Sequence, residues 1–412
     1  MDTMRQKVIK ALVEGKFIKK TINKIETRTD RYLGIWAKKL VFSNEQVQKN
    51  KIFFMTFQGD YTCNPKYITE ELIKENIDCD IIWGVQLSQL NRPDLVPNKV
   101  RMVNRYTYDF YKEMATSKIW IINSVEVFKN PLLKKKNQIL METWHGSLGI
   151  KRFDKDANSG REWVKAAELC GNMADYCVSN SDFEDEVFRE TFWLNTPILK
   201  YGHPRNDILF LEGKEKLDII KKVMARYDLE EDVHYILYGP TFRDSHHFNC
   251  YNLAYNSVIE AAENKFGGRW KILVRFHPTV RKFSQGVLEG NENVIDVTDY
   301  PDIQELMVLA DMAITDYSSW IYDFVLTRKP GFIYAPDLDD YNNERGFYYK
   351  LESTPFPVAR SNRMFIKNIT DFDVVTYKAN IKKFLADKGC VEDGHASERV
   401  VHKIMEIMEE TK

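Results

Sequence analysis

None of the six cysteines, Cys63, Cys79, Cys170, Cys177, Cys250 and Cys390, belongs to a CxxC pair. Thiols scattered in this way supply neither a disulfide framework nor a zinc site, and read as free thiols of a reducing compartment. Nowhere does an apolar run reach the roughly 18 residues that a bilayer span requires. The first residues lack the apolar h-region of a secretory signal. There is no GxGxxG fingerprint and no GxxxxGK[ST] loop, which argues against NAD enzymes and P-loop ATPases. The GxSxG elbow of the α/β-hydrolases is missing too. A net charge of −1 leaves no global field to draw nucleic acid. Internal repeats and low-complexity segments are absent. What remains is a soluble, cytoplasmic class of protein, with 412 residues and 44% hydrophobic content, enough for two domains with sizeable cores.

Charge is unevenly placed. Residues 1–48 are rich in lysine and arginine, and Val8, Ile9, Leu12, Val13, Phe17, Ile18, Ile22 and Ile25 keep roughly helical spacing. A basic amphipathic segment of this kind fits an anionic membrane surface or a helix packed on its own domain with a solvated face. Beyond it the pattern changes to short apolar runs that end in small polar residues. Examples are 52–57, 80–85, 100–103, 119–123, 138–143, 175–180, 198–200, 235–238, 270–276, 294–297, 312–314 and 331–334. Helical stretches separate many of them. Strands alternating with helices predict parallel sheets covered on both faces, with ligands beyond the carboxyl ends of the strands. The charged stretch 210–232 divides two such series. The expected organisation is therefore 1–48 as the basic segment, 49–215 and 216–395 as two doubly wound domains facing a cleft, and 396–412 as a C-terminal helix.

The stretch Asp311 to Pro330 reads as strand, polar turn and helix. Ser318 and Ser319 fall where a helix N-cap belongs, and the exposed N–H groups there make an expected anion site. Three more strand ends carry chemistry. His145 follows a strand and precedes Gly146, which would let a ligand approach the backbone; a histidine there can act as a general base. Arg243 follows another strand, and a guanidinium grips phosphate oxygens. His277 stands before Pro278, in an extended segment. His246-His247 has no carboxylate at ligand spacing, so no metal is expected. Lys134-Lys135-Lys136 reads as a solvated loop.

Taken in order, several motifs carry a resemblance. They are Thr143-Trp144-His145-Gly146, Gly202-His203-Pro204-Arg205-Asn206-Asp207, Pro240-Thr241-Phe242-Arg243-Asp244, Arg275-Phe276-His277-Pro278 and Thr315-Asp316-Tyr317-Ser318-Ser319. Arg345-Gly346-Phe347-Tyr348 and Gly394-His395-Ala396-Ser397-Glu398-Arg399 complete the set. Over about residues 50 to 410 the chain resembles the CDP-glycerol glycerophosphotransferase family of teichoic acid and capsule primases and polymerases. Ser147-Leu148 stands where the family usually has Thr-Pro, and the arm Lys151-Arg152-Phe153-Asp154 is differently spaced. Lacking the large N-terminal extension of some polymerases, the chain is similar to the short members.

The resemblance implies a GT-B fold of two Rossmann-like domains, with a CDP-linked donor held mainly by the second. It implies peripheral attachment to the cytoplasmic face of the cell membrane, an acceptor that is a lipid-linked polyol phosphate or glycan, and no cofactor, metal or nucleic acid. His145 and His277 would be catalytic. Arg243, Ser318 and Ser319 would surround the donor diphosphate, with Thr241, Asp316, Gly146 and Arg205 completing the substrate-binding set. The expected reaction moves glycerol phosphate from CDP-glycerol to an acceptor hydroxyl and releases CMP. CDP-ribitol is the alternative donor. A nucleotide-sugar glycosyltransferase or epimerase on the same fold, and a surface scaffold without catalysis, are the readings from other classes. No oligomeric state follows from the sequence.

Overall fold

The computed structural model describes Gln6, Lys10 and residues 25–125, 128, 131–149, 151–153, 160–241, 252–276, 291–339 and 346–410, with the backbone alone for 25–33. Two parallel sheets form its two halves. The first contains β1 (Gln48–Met55), β2 (Asp80–Val85), β3 (Val100–Asn104), β4 (Ser117–Ile122), β5 (Ile139–Glu142), β6 (Tyr176–Ser179) and β7 (Ile198–Lys200). Their order is β3-β2-β1-β4-β5-β6-β7. The second contains β8 (Val233–Tyr238), β9 (Arg269–Val274), β10 (Val294–Asp296), β11 (Met312–Thr315), β12 (Gly331–Tyr334) and β13 (Val358–Ala359). Here the order is β10-β9-β8-β11-β12-β13. Both sheets therefore start in the middle, run to one edge, and return to build the other side. This doubly wound order opens a crevice between β1 and β4 and again between β8 and β11.

The strands are apolar on both faces because helices cover both faces. In β1, Ile52 and Phe54 enter one core with Trp83 and Ile119, while Phe53 and Met55 enter the opposite core with Trp120 and Phe110. Alternation along a pleated strand separates the two sets. Phe54 stacks on Trp83 at 5.5 Å. The second half is built around one large core that includes Ile236, Ile272, Ile314 and Phe332.

The chain crosses from the first half to the second after β7 and returns after the helix Val374–Asp387. The last helix, Ala396–Glu409, lays Val400, Val401, Ile404, Ile407 and Met408 on the first sheet's core, not on the second. Those five positions are the apolar side that the sequence predicts for that helix. The two crossings are knotted together by the Gly202–Asp207 motif. Asp207 accepts from the backbone N–H groups of Ala396 (2.9 Å) and Ser397 (2.7 Å), capping the returning helix from outside. Oε1 of Glu392 accepts from the His203 N–H at 3.1 Å and from the Asn206 amide at 2.8 Å. Gly202 lies at φ 90, with Glu392 and Ala396 packed where a side chain would go.

A second tie joins the halves through Lys66 on the helix Cys63–Lys74. Its ammonium reaches Asp302 at 2.5 Å and Glu305 at 2.7 Å, and all three side chains are buried. The Tyr67 hydroxyl donates to the same Asp302 carboxylate at 2.8 Å. Lys134, expected in a solvated loop, is instead half-buried and pinned to Asp175 at 2.7 Å. The pairing fixes the turn before β5, since Asp175 also accepts from the Leu140 N–H. The five cysteines among the described residues are all free. No helix among the described residues is long and apolar enough to cross a membrane.

Candidate active site

The strand ends of the two sheets face each other across a cleft of about 1110 Å³, lined from the first half by Phe57, Asn123 and His145 and from the second by Arg275, Ser318 and Ser319, among others. At both crevices a side chain just after the fourth strand accepts from the backbone just after the first. In one, Asn123 Oδ1 accepts from the Phe57 N–H at 2.8 Å. In the other, Asp316 accepts from the Thr241 N–H at 2.9 and 3.1 Å. The sequence expects Thr241 and Asp316 to hold substrate; the structure has them holding each other. Asp316 is 4% exposed and also accepts from the Tyr317 N–H.

His145 is exposed at the end of the turn after β5, with its ring stacked on Phe57 at 5.3 Å. Its Nδ1 lies 2.6 Å from the Asn123 carbonyl oxygen. A carbonyl can only accept, so Nδ1 carries the proton and Nε2 is the basic nitrogen. The turn is strained: Trp144 sits at φ 50, in the left-handed region that disfavours a bulky residue. Two contacts hold it there. Glu142 accepts from the Trp144 N–H at 2.9 Å, and the buried Asn64 amide donates to the carbonyls of Thr143 (2.8 Å) and Trp144 (3.1 Å). Burial pushes the Glu142 carboxyl up to about 8. Gly146 gives room to the Trp144 indole, whose Nε1 lies 2.7 Å from where a Cβ would be.

From His145 the loop runs to the other half. Gly149 packs on Ser319, Arg152 donates from its N–H to the Gly346 carbonyl at 3.2 Å, and Lys151 pairs with Phe347. The Tyr349 hydroxyl donates to the Leu148 carbonyl. Gly346-Phe347-Tyr348 of the resemblance thus seats the histidine loop.

Ser318 and Ser319 line the cleft and are half-buried. Their expected capping role is corrected: Ser319 occupies the N-cap with helical dihedrals and makes no side-chain cap bond. The helix, Trp320–Phe324, is a single short turn that passes into a 3₁₀ turn, Val325–Thr327. A polar cluster and an apolar face were legible in sequence; the helix length was not, because Trp320, Ile321 and Phe324 are buried by tertiary packing that a longer helix would share.

Arg205 lies at the back of the cleft with its guanidinium committed. Nε donates to Asp323 at 3.0 Å, and Nη2 donates to the Gly146 carbonyl. It braces the histidine loop against the turn that follows the serine pair. Arg243 and His277, with His246, His247, Asp154 and Arg345, lie outside the described residues. So do positions 8–22 of the basic segment apart from Lys10. Among the cleft residues outside the expected site set are Phe57, Asn123 and Arg275; Arg275, in the same motif as His277, lines the cleft at the end of β9. The motif itself was the signal that could have found it.

Two doubly wound halves, a cleft between their strand ends and a C-terminal helix returning to the first half define a GT-B architecture. The sequence profile described as CDP-Glycerol:Poly(glycerophosphate) glycerophosphotransferase matches residues 37–406. The chain belongs to that family. It is 30% identical over 373 residues to a teichoic acid poly(glycerol phosphate) polymerase of Bacillus spizizenii, covering 86% of this chain and 91% of that protein. The teichoic acid poly(glycerol phosphate) polymerase of Bacillus subtilis is 28% identical over 94% of this chain, which spans 52% of that longer protein. Among solved structures, the wall teichoic acid polymerase TagF superposes with a TM-score of 0.77 at 27% identity, covering 95% of this chain and 99% of the other.

Proposed function

We propose that the chain transfers glycerol phosphate from CDP-glycerol to a hydroxyl of a lipid-linked teichoic acid or capsule acceptor. The observation that carries this reading is His145: an exposed imidazole, oriented through Nδ1 by the Asn123 carbonyl, in a cleft shared with the half that would hold the donor. The acceptor oxygen attacks the β-phosphorus of the donor, and its proton passes to Nε2 of His145. A new O–P bond forms, the bond from that phosphorus to the bridging oxygen breaks, and CMP leaves. Negative charge grows on the departing phosphate. Stabilising it is the main task in phosphoryl transfer. Arg243, the imidazolium of His277 and the hydroxyls of Ser318 and Ser319 would meet that charge. Thr241 and Asp316 would shape the loop beneath it. The reaction as proposed uses no resident metal or cofactor.

Glycerol is the favoured donor polyol because the poly(glycerol phosphate) polymerases match at 28–30% identity, whereas the teichoic acid poly(ribitol-phosphate) polymerase of Bacillus spizizenii matches at 26% over 90% of this chain. The protein would work at the inner membrane face, held peripherally by its basic N-terminal segment. The helix Ile25–Phe42 supports that placement by exposing Trp36 and Leu40. The test is His145→Ala, followed by CMP release from CDP-glycerol and from CDP-ribitol with lipid-linked acceptors. A general base of this kind accounts for about 10²–10⁴-fold in rate. A loss of that size with CDP-glycerol supports the assignment; turnover at the wild-type rate overturns it.

A further inference from the structure

We infer that Arg275 grips an anionic phosphate oxygen of a bound substrate. The inference rests on the transfer reaction proposed above and adds Arg275, from the motif that also holds His277, to the residues that meet substrate. Arg275 is the first residue beyond β9; its N–H continues the sheet ladder to the Tyr238 carbonyl at 2.8 Å. The next residue, Phe276, is buried and anchored by Thr298 at 3.0 Å, so the backbone beneath the arginine is held from both sides.

The side chain has far fewer partners than its charge calls for. Nη2 donates to the Tyr300 carbonyl at 3.3 Å. Nε is sealed from solvent with no hydrogen-bond partner among the described residues. No described carboxylate forms an ion pair with it. The other arginines of the cleft are each paired: Arg205 with Asp323, Arg226 with Asp299 and Arg92 with Asp94. Asp302 is near enough to favour the charged form of Arg275, but Lys66 and Tyr67 already occupy that carboxylate. Burial, the larger effect, works against the charge. The side chain is half-buried where it lines the cleft, and a guanidinium partly taken out of water without a counter-ion is costly. A phosphate in the cleft completes it, because the guanidinium fork matches phosphate oxygens.

The phosphate could come from the donor diphosphate or from a phosphodiester of the acceptor, and the experiment separates them. Cytidine, CMP, CDP and inorganic pyrophosphate are titrated by calorimetry into wild type, Arg275→Gln and Arg275→Lys, and KM for the lipid-linked acceptor is measured in parallel. If the donor is held, cytidine binding is unchanged. CDP and pyrophosphate then weaken about 10- to 100-fold in the glutamine variant, with lysine between. If the acceptor is held, the CDP series stays level and acceptor KM rises by a similar factor. Either outcome supports the inference. Constants within twofold of wild type in both arms overturn it. Should the glutamine variant fail to fold, the lysine variant, which keeps the charge and loses the fork, is read by itself. A wild type that binds CDP and pyrophosphate without releasing CMP from CDP-glycerol would sink the proposed reaction while leaving the binding series to decide on Arg275.

Discussion

Arg205 and Asp323 pair across the two halves of the molecule, Nε to Oδ2 at 3.0 Å, with both side chains only 3% exposed. The same guanidinium donates to the carbonyl of Gly146, next to the candidate base. Removing one partner of a buried pair leaves the other charge unpaired, at a cost of about 3–5 kcal/mol. Arg205→Ala and Asp323→Ala should each lower stability by that order in urea denaturation. The double variant should lose less than the sum. Arg205→Ala should also lower kcat/KM, because the histidine loop loses its brace; unchanged kinetics in a folded variant would confine the pair to stability.

How much of this was legible in sequence depended on whether the cause was local. Strands such as Asp80–Val85 and Ile198–Lys200 were read with their observed limits because continuous apolar runs end at polar residues. The face of the last helix was legible for the same reason, since 3.6-residue periodicity is written in the chain. Its partner was not: Val400 and Ile404 share a core with Ile52 and Phe54, which stand far earlier in the sequence. Arg205 shows the limit for sites. Arg205 was expected in the substrate-binding set, and only the fold brings Asp323, more than a hundred residues on, to its guanidinium. Asp316 is a similar case, since only the fold brings the Thr241 N–H to its carboxylate.

Lys66 holds Asp302 and Glu305 from the other half, and these acids keep it charged despite burial. Lys66→Met should leave the buried Asp302 carboxylate without its cation, with Glu305 held by Lys222 alone, and loosen the cleft. The expected signs are a stability loss of about 3–5 kcal/mol and a larger radius of gyration in small-angle scattering. A melting temperature and radius equal to wild type would show that Lys222, which also reaches Glu305 at 2.8 Å, is sufficient.

Gly149 lets the histidine loop rest on the serine turn. A Cβ there would lie 2.8 Å from the Ser319 Cβ, an atom with no rotamer freedom to escape. Gly149→Val should therefore push His145 away from Ser318 and Ser319, cutting turnover by about tenfold or more, since misplacement of about 1 Å can cost 10²-fold. Melting should fall as well, because Leu148 beside it is buried in the second half's core and would be pulled from it. Normal CMP release by this variant would argue that the two loops need not touch during the reaction.

Glu142 makes a prediction about pH. It is wholly buried behind the histidine turn, and burial raises its carboxyl to about 8. In the unfolded chain it titrates near the usual glutamate value of about 4.3. Between those two values the unfolded state has given up its proton and the folded state has kept it. Stability from this group is therefore complete below the unfolded value and drains away as pH rises towards 8. Glu142→Gln keeps an oxygen to accept from the Trp144 N–H and cannot ionise. Its melting temperature should fall less than that of wild type between pH 5 and pH 8. The gap should widen by about 2–4 °C for each kcal/mol involved, on the scale of domains of this size. Parallel melting curves for the two proteins would mean that the carboxyl finds a cation or solvent when it ionises, and the turn beneath His145 would then be looser than its contacts with Glu142 and Asn64 indicate.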